Sequence, residues 1–349
     1  MSSIRSHYDI RLPLLILLKA IGAFRLARWV TRGKLRILCY HGFSLGDENL
    51  FSPLMYMRPE RFESRLRLLQ RLRFPVIPLA AAVEKLARGD IDSAQVVITI
   101  DDGWKSNLTL GLPLLEKYGY PATVYVITEH LGKSPTAFNM CVAYMFWKSR
   151  RSEIELTGSG NDIDGRYILD SATPQSTERL INASKSLSYV DKQSLLPLIA
   201  NACGLNFVEL NSGGRFDLMN EVELAKIAAA GLDLQLHTHE HNLPAEDFDE
   251  VARQIRSNAD HLSNIRSVAS MHFCYPSGNY SPLHPDWLRK LGIVSATTCD
   301  IGLNDGEVNP LLLRRVLDRD DADDLIFEAE MCGVMEIMRK LVSKFGHRQ

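Results

Sequence analysis

The chain has little that could cross or be sorted through a membrane. Its N-terminal apolar stretch, Leu12–Leu18, is seven residues long, contains Pro13 and stops at Lys19. A membrane-spanning helix needs about 20 residues, and with Asp9 close by the stretch is too weak for an export signal. Closely spaced cysteines are also missing. Cys39, Cys141, Cys203, Cys274, Cys299 and Cys332 are scattered with no CxxC pair, which excludes zinc-ribbon and thioredoxin-like patterns and a disulfide scaffold. Six reduced, mostly buried thiols in a reducing compartment are expected. Net charge is small: 40 Lys+Arg against 42 Asp+Glu leave −2, so no nucleic acid is expected as a partner. There is no fixed-period repeat and no low-complexity tail. What remains, 349 residues with 46% hydrophobic and 23% charged, is globular and long enough to bury a core without staples.

One absence is local. Between Arg11 and Arg36 there is no acidic residue, while Arg11, Lys19, Arg25, Arg28, Arg32, Lys34 and Arg36 are basic. Arg25, Arg28 and Arg32 recur at i, i+3 and i+7, which puts them on one side of a helix. Phe24, Leu26 and Trp29 add apolar bulk. Residues 1–34 therefore read as a basic amphipathic segment, suited to packing on the domain or to lying on anionic lipid. The corresponding expectation is a cytoplasmic protein, peripheral on the inner face of the membrane, with a lipid-linked sugar presented beside the catalytic mouth.

From Arg36 onward, apolar runs alternate with helical periodicity. Strands are expected at Arg36–Tyr40, Val96–Ile100, Ala122–Ile127, Leu232–Leu236 and Met271–Tyr275, with a short edge at Phe74–Pro78. That rhythm predicts an α/β fold with a parallel sheet or barrel. It lapses between about Leu131 and Phe216, where two helices, Glu178–Leu187 and Asp191–Ala202, suggest an inserted subdomain. The expected organisation is barrel over 35–130 and 217–319, a mainly helical insert over 131–216, and a C-terminal helix over 320–349.

Strand ends are where α/β folds build sites, and four carry polar residues: Tyr40-His41-Gly42, Asp101-Asp102-Gly103, His237-Thr-His-Glu-His241 and Tyr275-Pro-Ser-Gly278. One carboxylate and two imidazoles leave room for water on a metal. An adjacent carboxylate off the metal can then take a proton from that water.

The stretch Thr99-Ile-Asp-Asp-Gly103 followed by His237-Thr-His-Glu-His241 resembles the polysaccharide deacetylase family, the NodB-homology or carbohydrate esterase family 4 domain. The resemblance covers roughly Leu35–His130 and Phe216–Arg319. It implies a distorted (β/α) barrel that removes N-acetyl groups from sugars with a divalent metal, zinc foremost and cobalt, nickel or iron as alternatives. Carried over by position, it makes Asp101 the general base and Asp102, His237 and His241 the metal ligands, with His239 as rival ligand.

Two departures from the family pattern stand out. An Arg normally precedes the Pro-Tyr-Gly-like turn; here Cys274 takes its place, and Ser277 replaces the aromatic residue. The Ser277 N–H can still serve an oxyanion, and of Arg314-Arg315 we favour Arg315 as the replacement guanidinium. The late Leu-x-His motif that supplies the general acid is also missing. In a circularly permuted branch this histidine comes from an N-terminal strand, an arrangement that His41 fits; His272 and His284 are weaker candidates. The expected activity is de-N-acetylation of an amino sugar in a glycan, oligosaccharide or lipid-linked sugar. Its alternatives are removal of another N-acyl or formyl group, or a catalytically inactive carbohydrate-binding protein.

Overall fold

Seven short, mostly buried runs form the central strands: β1 (Arg36–Tyr40), β2 (Val96–Ile100), β3 (Thr123–Val126), β4 (Asp233–Leu236), β5 (His272–Cys274), β6 (Ser295–Ile301) and β7 (Leu313–Leu317). In the computed structural model, which describes residues 2–134, 137–158, 161–169, 175–265 and 271–346, each strand pairs in parallel with the next in chain order. β7 returns to pair with β1, closing a barrel. Strands covered on both faces need apolar side chains on both. Leu38, Tyr40, Ile98 and Ile100 pack in one cluster with Phe62, Leu66 and Leu69 of the helix Pro59–Arg71. Ile37, Val97, Tyr125, Cys274 and Leu313 pack in another with Leu79, Ala82 and Leu86 of the helix Leu79–Arg88. The register Arg36↔Val96 to Tyr40↔Ile100 brings His41 and Asp101 out at the same end.

Sequence and structure part in several places. Phe74–Pro78 forms only an isolated bridge, Val76↔Val96; Pro75 and Pro78 lack the N–H groups a ladder needs. Between β3 and β4 lies more than two helices. The helices Phe138–Lys148, Gln175–Ala183, Tyr189–Ala202 and Phe207–Leu210 are joined by an antiparallel hairpin, Glu153–Leu156 with Gly165–Ile168. They enclose a separate core that includes Val142, Met145, Leu180, Leu196, Ile199 and Phe216.

Both ends of the chain are helix pairs. Ser2–Ala20 and Ala23–Val30 break at Gly22 (φ 80°). In place of one C-terminal helix there are two, Asp324–Met331 and Val334–Gly346. They part at Gly333, where φ is 81° and a Cβ would stand 2.3 Å from Thr31 Oγ1.

The buried Arg36 guanidinium donates to Met331 O (2.9 Å) and to Thr31 Oγ1 (2.6 Å). These bonds tie the C-terminal ends of Ala23–Val30 and Asp324–Met331 to the first residue of β1. That is the N-terminal end of the barrel, opposite the strand ends that carry the motifs. The basic helix therefore lies at the floor, because the connection to β1 is too short to reach the other rim, and its place there does not bring a lipid-linked sugar beside the mouth as expected. No helix among the described residues is long and apolar enough to cross a membrane.

Candidate active site

Asp101 and Asp102 follow β2 directly, and opposite backbone conformations send them different ways. Asp101 continues the ladder, its N–H donating to Tyr40 O (2.9 Å). Asp102 turns into the left-handed region at φ 73°, so its carboxylate leaves on another heading. The buried Arg315 donates through Nη1 to Asp101 Oδ1 (2.8 Å), through Nε to Thr298 O (2.7 Å) and through Nη1 to Thr99 Oγ1 (3.4 Å). Its neighbour Arg314 faces outward, as alternation along a strand requires. Asp101 Oδ2 receives the Cys274 and Cys39 thiols at 3.4 and 3.7 Å, and His41 Nε2 lies 3.8 Å away. Burial would raise the Asp101 pKa, but Arg315 and then His41 outweigh it and hold the carboxyl below its usual range.

Asp102 Oδ1 faces His237 Nε2 at 3.2 Å and His241 Nε2 at 3.7 Å. Its Oδ2 accepts from the Trp104 indole N–H at 2.9 Å. His237 is oriented from behind: Nδ1 donates to Cys274 O (2.9 Å), and its backbone N–H donates to Asn258 Oδ1 (2.9 Å). With Nδ1 as donor, the Nε2 of a neutral ring presents a lone pair to a carboxylate oxygen. Two acceptors at this distance need a shared positive charge, which a proton on Nε2 or a divalent ion in its place would supply. One face of His241 is open to solvent; even so, the desolvating wall behind it and then the His237 ring push its pKa down to about 4. That leaves it neutral, the form that ligates metal.

Single donor atoms of Asp102, His237 and His241 lie within 4.8 Å of one another. Two further groups satisfy the same spacing, Cys39–His41–Asp101 and Asp101–His237–Cys274. Both depend on a buried thiol, and burial pushes that of Cys39 well above its ordinary pKa. The carboxylate–imidazole group, which of the three opens most to solvent, fits a divalent cation best.

The other histidines lie elsewhere. His239 turns away from Asp102, with Nδ1 2.9 Å from Thr128 Oγ1 and its ring stacked on His261. His284 engages Ser281 N and Pro244 O, and His272 sits at the start of β5, against Ser295. Ser277 lies exposed in the turn after β5 with φ 55°. The next residue, Gly278, has φ 71°, and a Cβ there would meet that of Cys299 at 2.5 Å.

Several neighbours of the site escaped the sequence reading. Asn258 Nδ2 donates to Val126 O (2.9 Å) and Thr128 Oγ1 (3.0 Å), linking β3 to the His237 loop. Gln254 accepts from Glu240 N–H at 2.8 Å. Their signal was available: both are polar residues on the buried face of Phe248–Ile265, among Val251, Ile255 and Leu262.

The profile of the polysaccharide deacetylase family matches residues 88–145 and 206–296, so these segments carry a polysaccharide deacetylase domain. The matched segments carry β2 to β5 with Asp101, Asp102, His237 and His241; β1 with His41 and Arg315 of β7 lie outside them. YxkH of Bacillus subtilis (strain 168), named for the same family, is 30% identical over 100 residues. That match covers 28% of this chain and 34% of YxkH, so the chain matches about a third of that relative's length. Among solved structures, IcaB from Ammonifex degensii aligns with a TM-score of 0.56 at 17% identity, covering 86% of this chain and 97% of that one. The Streptococcus pyogenes deacetylase PplD, in complex with acetate, gives 0.55 at 15%, covering 87% and 97%. The de-N-acetylase from Aggregatibacter actinomycetemcomitans gives 0.54 at 13%, covering 85% and 99%. At these identities the likeness is one of fold.

Proposed function

We propose that this chain is a metal-dependent de-N-acetylase acting on an amino sugar of a glycan, oligosaccharide or lipid-linked sugar. The observation that carries this reading is the pairing of two sets of groups on one rim. Asp102, His237 and His241 converge at a spacing that suits metal ligands, while next to them Asp101 is held ionised by Arg315 beside His41. A bound divalent ion, zinc foremost, would lower the pKa of a water molecule and polarise the acetamide carbonyl.

Asp101 takes a proton from the attacking water, and Arg315 fixes the carboxylate that does so. The C–O bond forms as the carbonyl π pair moves to oxygen, and the Ser277 N–H is the proposed donor to that oxyanion. When the oxyanion collapses, the C–N bond breaks. His41, protonated, gives its proton to the nitrogen, so that an amine leaves rather than an anion. Acetate and the free amino sugar are the products. The unpaired state of all six thiols supports a cytoplasmic location.

The test is acetate release across free, nucleotide-linked, lipid-linked and polymeric N-acetyl sugars, with elemental analysis of the same protein. Metal near one ion per chain, together with acetate and a new amine from one substrate class, is expected. Formate or a longer acid in place of acetate would assign the scaffold to another N-acyl group. Metal-free protein, or loaded protein with no acid released, would overturn the reading.

A further inference from the structure

Among the described residues, eight of the 21 large hydrophobic side chains that stand exposed are on the terminal helices, and Ile21 adds a ninth in the turn between the first two. On Ala23–Val30 the faces divide sharply. Phe24 and Ala27 are buried, and Arg28 turns inward to Leu72 O and Arg73 O, pinning the helix to the barrel. Leu26, Trp29 and Val30 are left outside, each more than half exposed. Arg25 and Arg32 share that outer face, with Arg32 lying over the Trp29 ring at 4.7 Å. Arg25 has no ion-pair partner among the described residues. The C-terminal helix, which packs on this one, adds exposed Leu341 and Val342. A Trp-centred apolar face edged by arginines is the composition of an interfacial helix. A second copy is a poor occupant, since an isologous contact would set Arg25 and Arg32 against themselves. An anionic surface complements them.

We propose that Ala23–Val30, together with Leu341 and Val342, rests on an anionic lipid surface, so that the barrel stands on its floor with the catalytic mouth turned away from the bilayer. The five residues of β1 rise about 16 Å, and the helix beneath adds about 10 Å. The site is then held roughly 25 Å from the interface. If the chain deacetylates a lipid-linked glycan, it reaches sugar units well removed from the lipid end. That last step rests on the proposed activity; the docking does not.

Flotation of the full chain with phosphatidylcholine vesicles, with and without phosphatidylglycerol, tests the docking without any activity assay. Flotation with the anionic vesicles at low salt, weakened by high salt, is expected. At about fivefold per charge, Arg25→Gln with Arg32→Gln should lower partitioning roughly 25-fold while the circular dichroism stays unchanged. Brominated lipid should quench tryptophan emission in the native chain and not in Trp29→Phe, which retains Trp104, Trp147 and Trp287 far from the floor. Absence of flotation on both vesicles would overturn the proposal. So would quenching that survives Trp29→Phe, since another face would then meet the lipid. A dimer in light scattering that Trp29→Ser dissociates would replace the lipid by a second copy.

Discussion

Cys274 and Arg315 reach the same carboxylate, that of Asp101, from different strands of the barrel. The strand before the Pro-Ser-Gly turn carries a thiol where the family's pattern has a guanidinium, and β7 sends Arg315 to the same carboxylate from the other side. Breaking a buried ion pair from one side costs about 3–5 kcal/mol, so Arg315→Ala alone should destabilise the chain as well as slow it. Cys274→Arg combined with Arg315→Ala should restore part of both, read by unfolding and by the pH profile of turnover. Failure of the double variant to improve on Arg315→Ala in either would refute the equivalence of the two positions. Asp101→Asn should retain metal while turnover falls about 10²–10⁴-fold, as loss of a positioned base predicts; elemental analysis separates this from loss of a ligand. His237→Ala and His241→Ala should each remove bound metal, and His239→Ala should leave the stoichiometry intact. Metal loss in the His239 variant would reverse the ligand assignment.

At the level of elements, the helix Phe248–Ile265 positions a loop it does not contain. Asn258 satisfies the His237 N–H and the Val126 carbonyl, both buried. Asn258→Ala strands these groups at about 1–3 kcal/mol each, so a loss of about 2–5 kcal/mol in denaturant unfolding is expected, with weakened metal binding. A change under 1 kcal/mol would show that water or rearrangement replaces the side chain. This element was legible as an amphipathic helix, but not as a support. Periodicity reports which face is buried and is silent on what a buried amide touches. The hairpin Glu153–Leu156 with Gly165–Ile168 was missed for another reason. Four-residue strands with two exposed positions each give too short an alternation to stand out from loop, and the ladder depends on partners that pattern alone does not name.

For the whole molecule, the barrel was readable because its strands are apolar on both faces and end in unusual residues: β2 in Asp101-Asp102, β4 in His237. The insert with its separate core was readable only as an interruption. Where the terminal helices sit was not readable at all, since their place follows from the Arg36 bonds to Thr31 and Met331. Among the described residues, four of the five non-glycine residues with positive φ, Asp102, Thr238, His241 and Ser277, lie in the motif turns. Such conformations cost of order 1–3 kcal/mol each. Thr238 is the extreme case: β-branched at φ 62°, buried, and with a hydroxyl that has no partner. Thr238→Gly should therefore raise the melting temperature even as it loosens the two imidazoles on either side and weakens metal binding. A lower melting temperature would show that the threonine packs better than it strains. The most thermally robust sequence for this barrel is then not its most capable one, and selection for heat tolerance alone would erode the catalytic turn first.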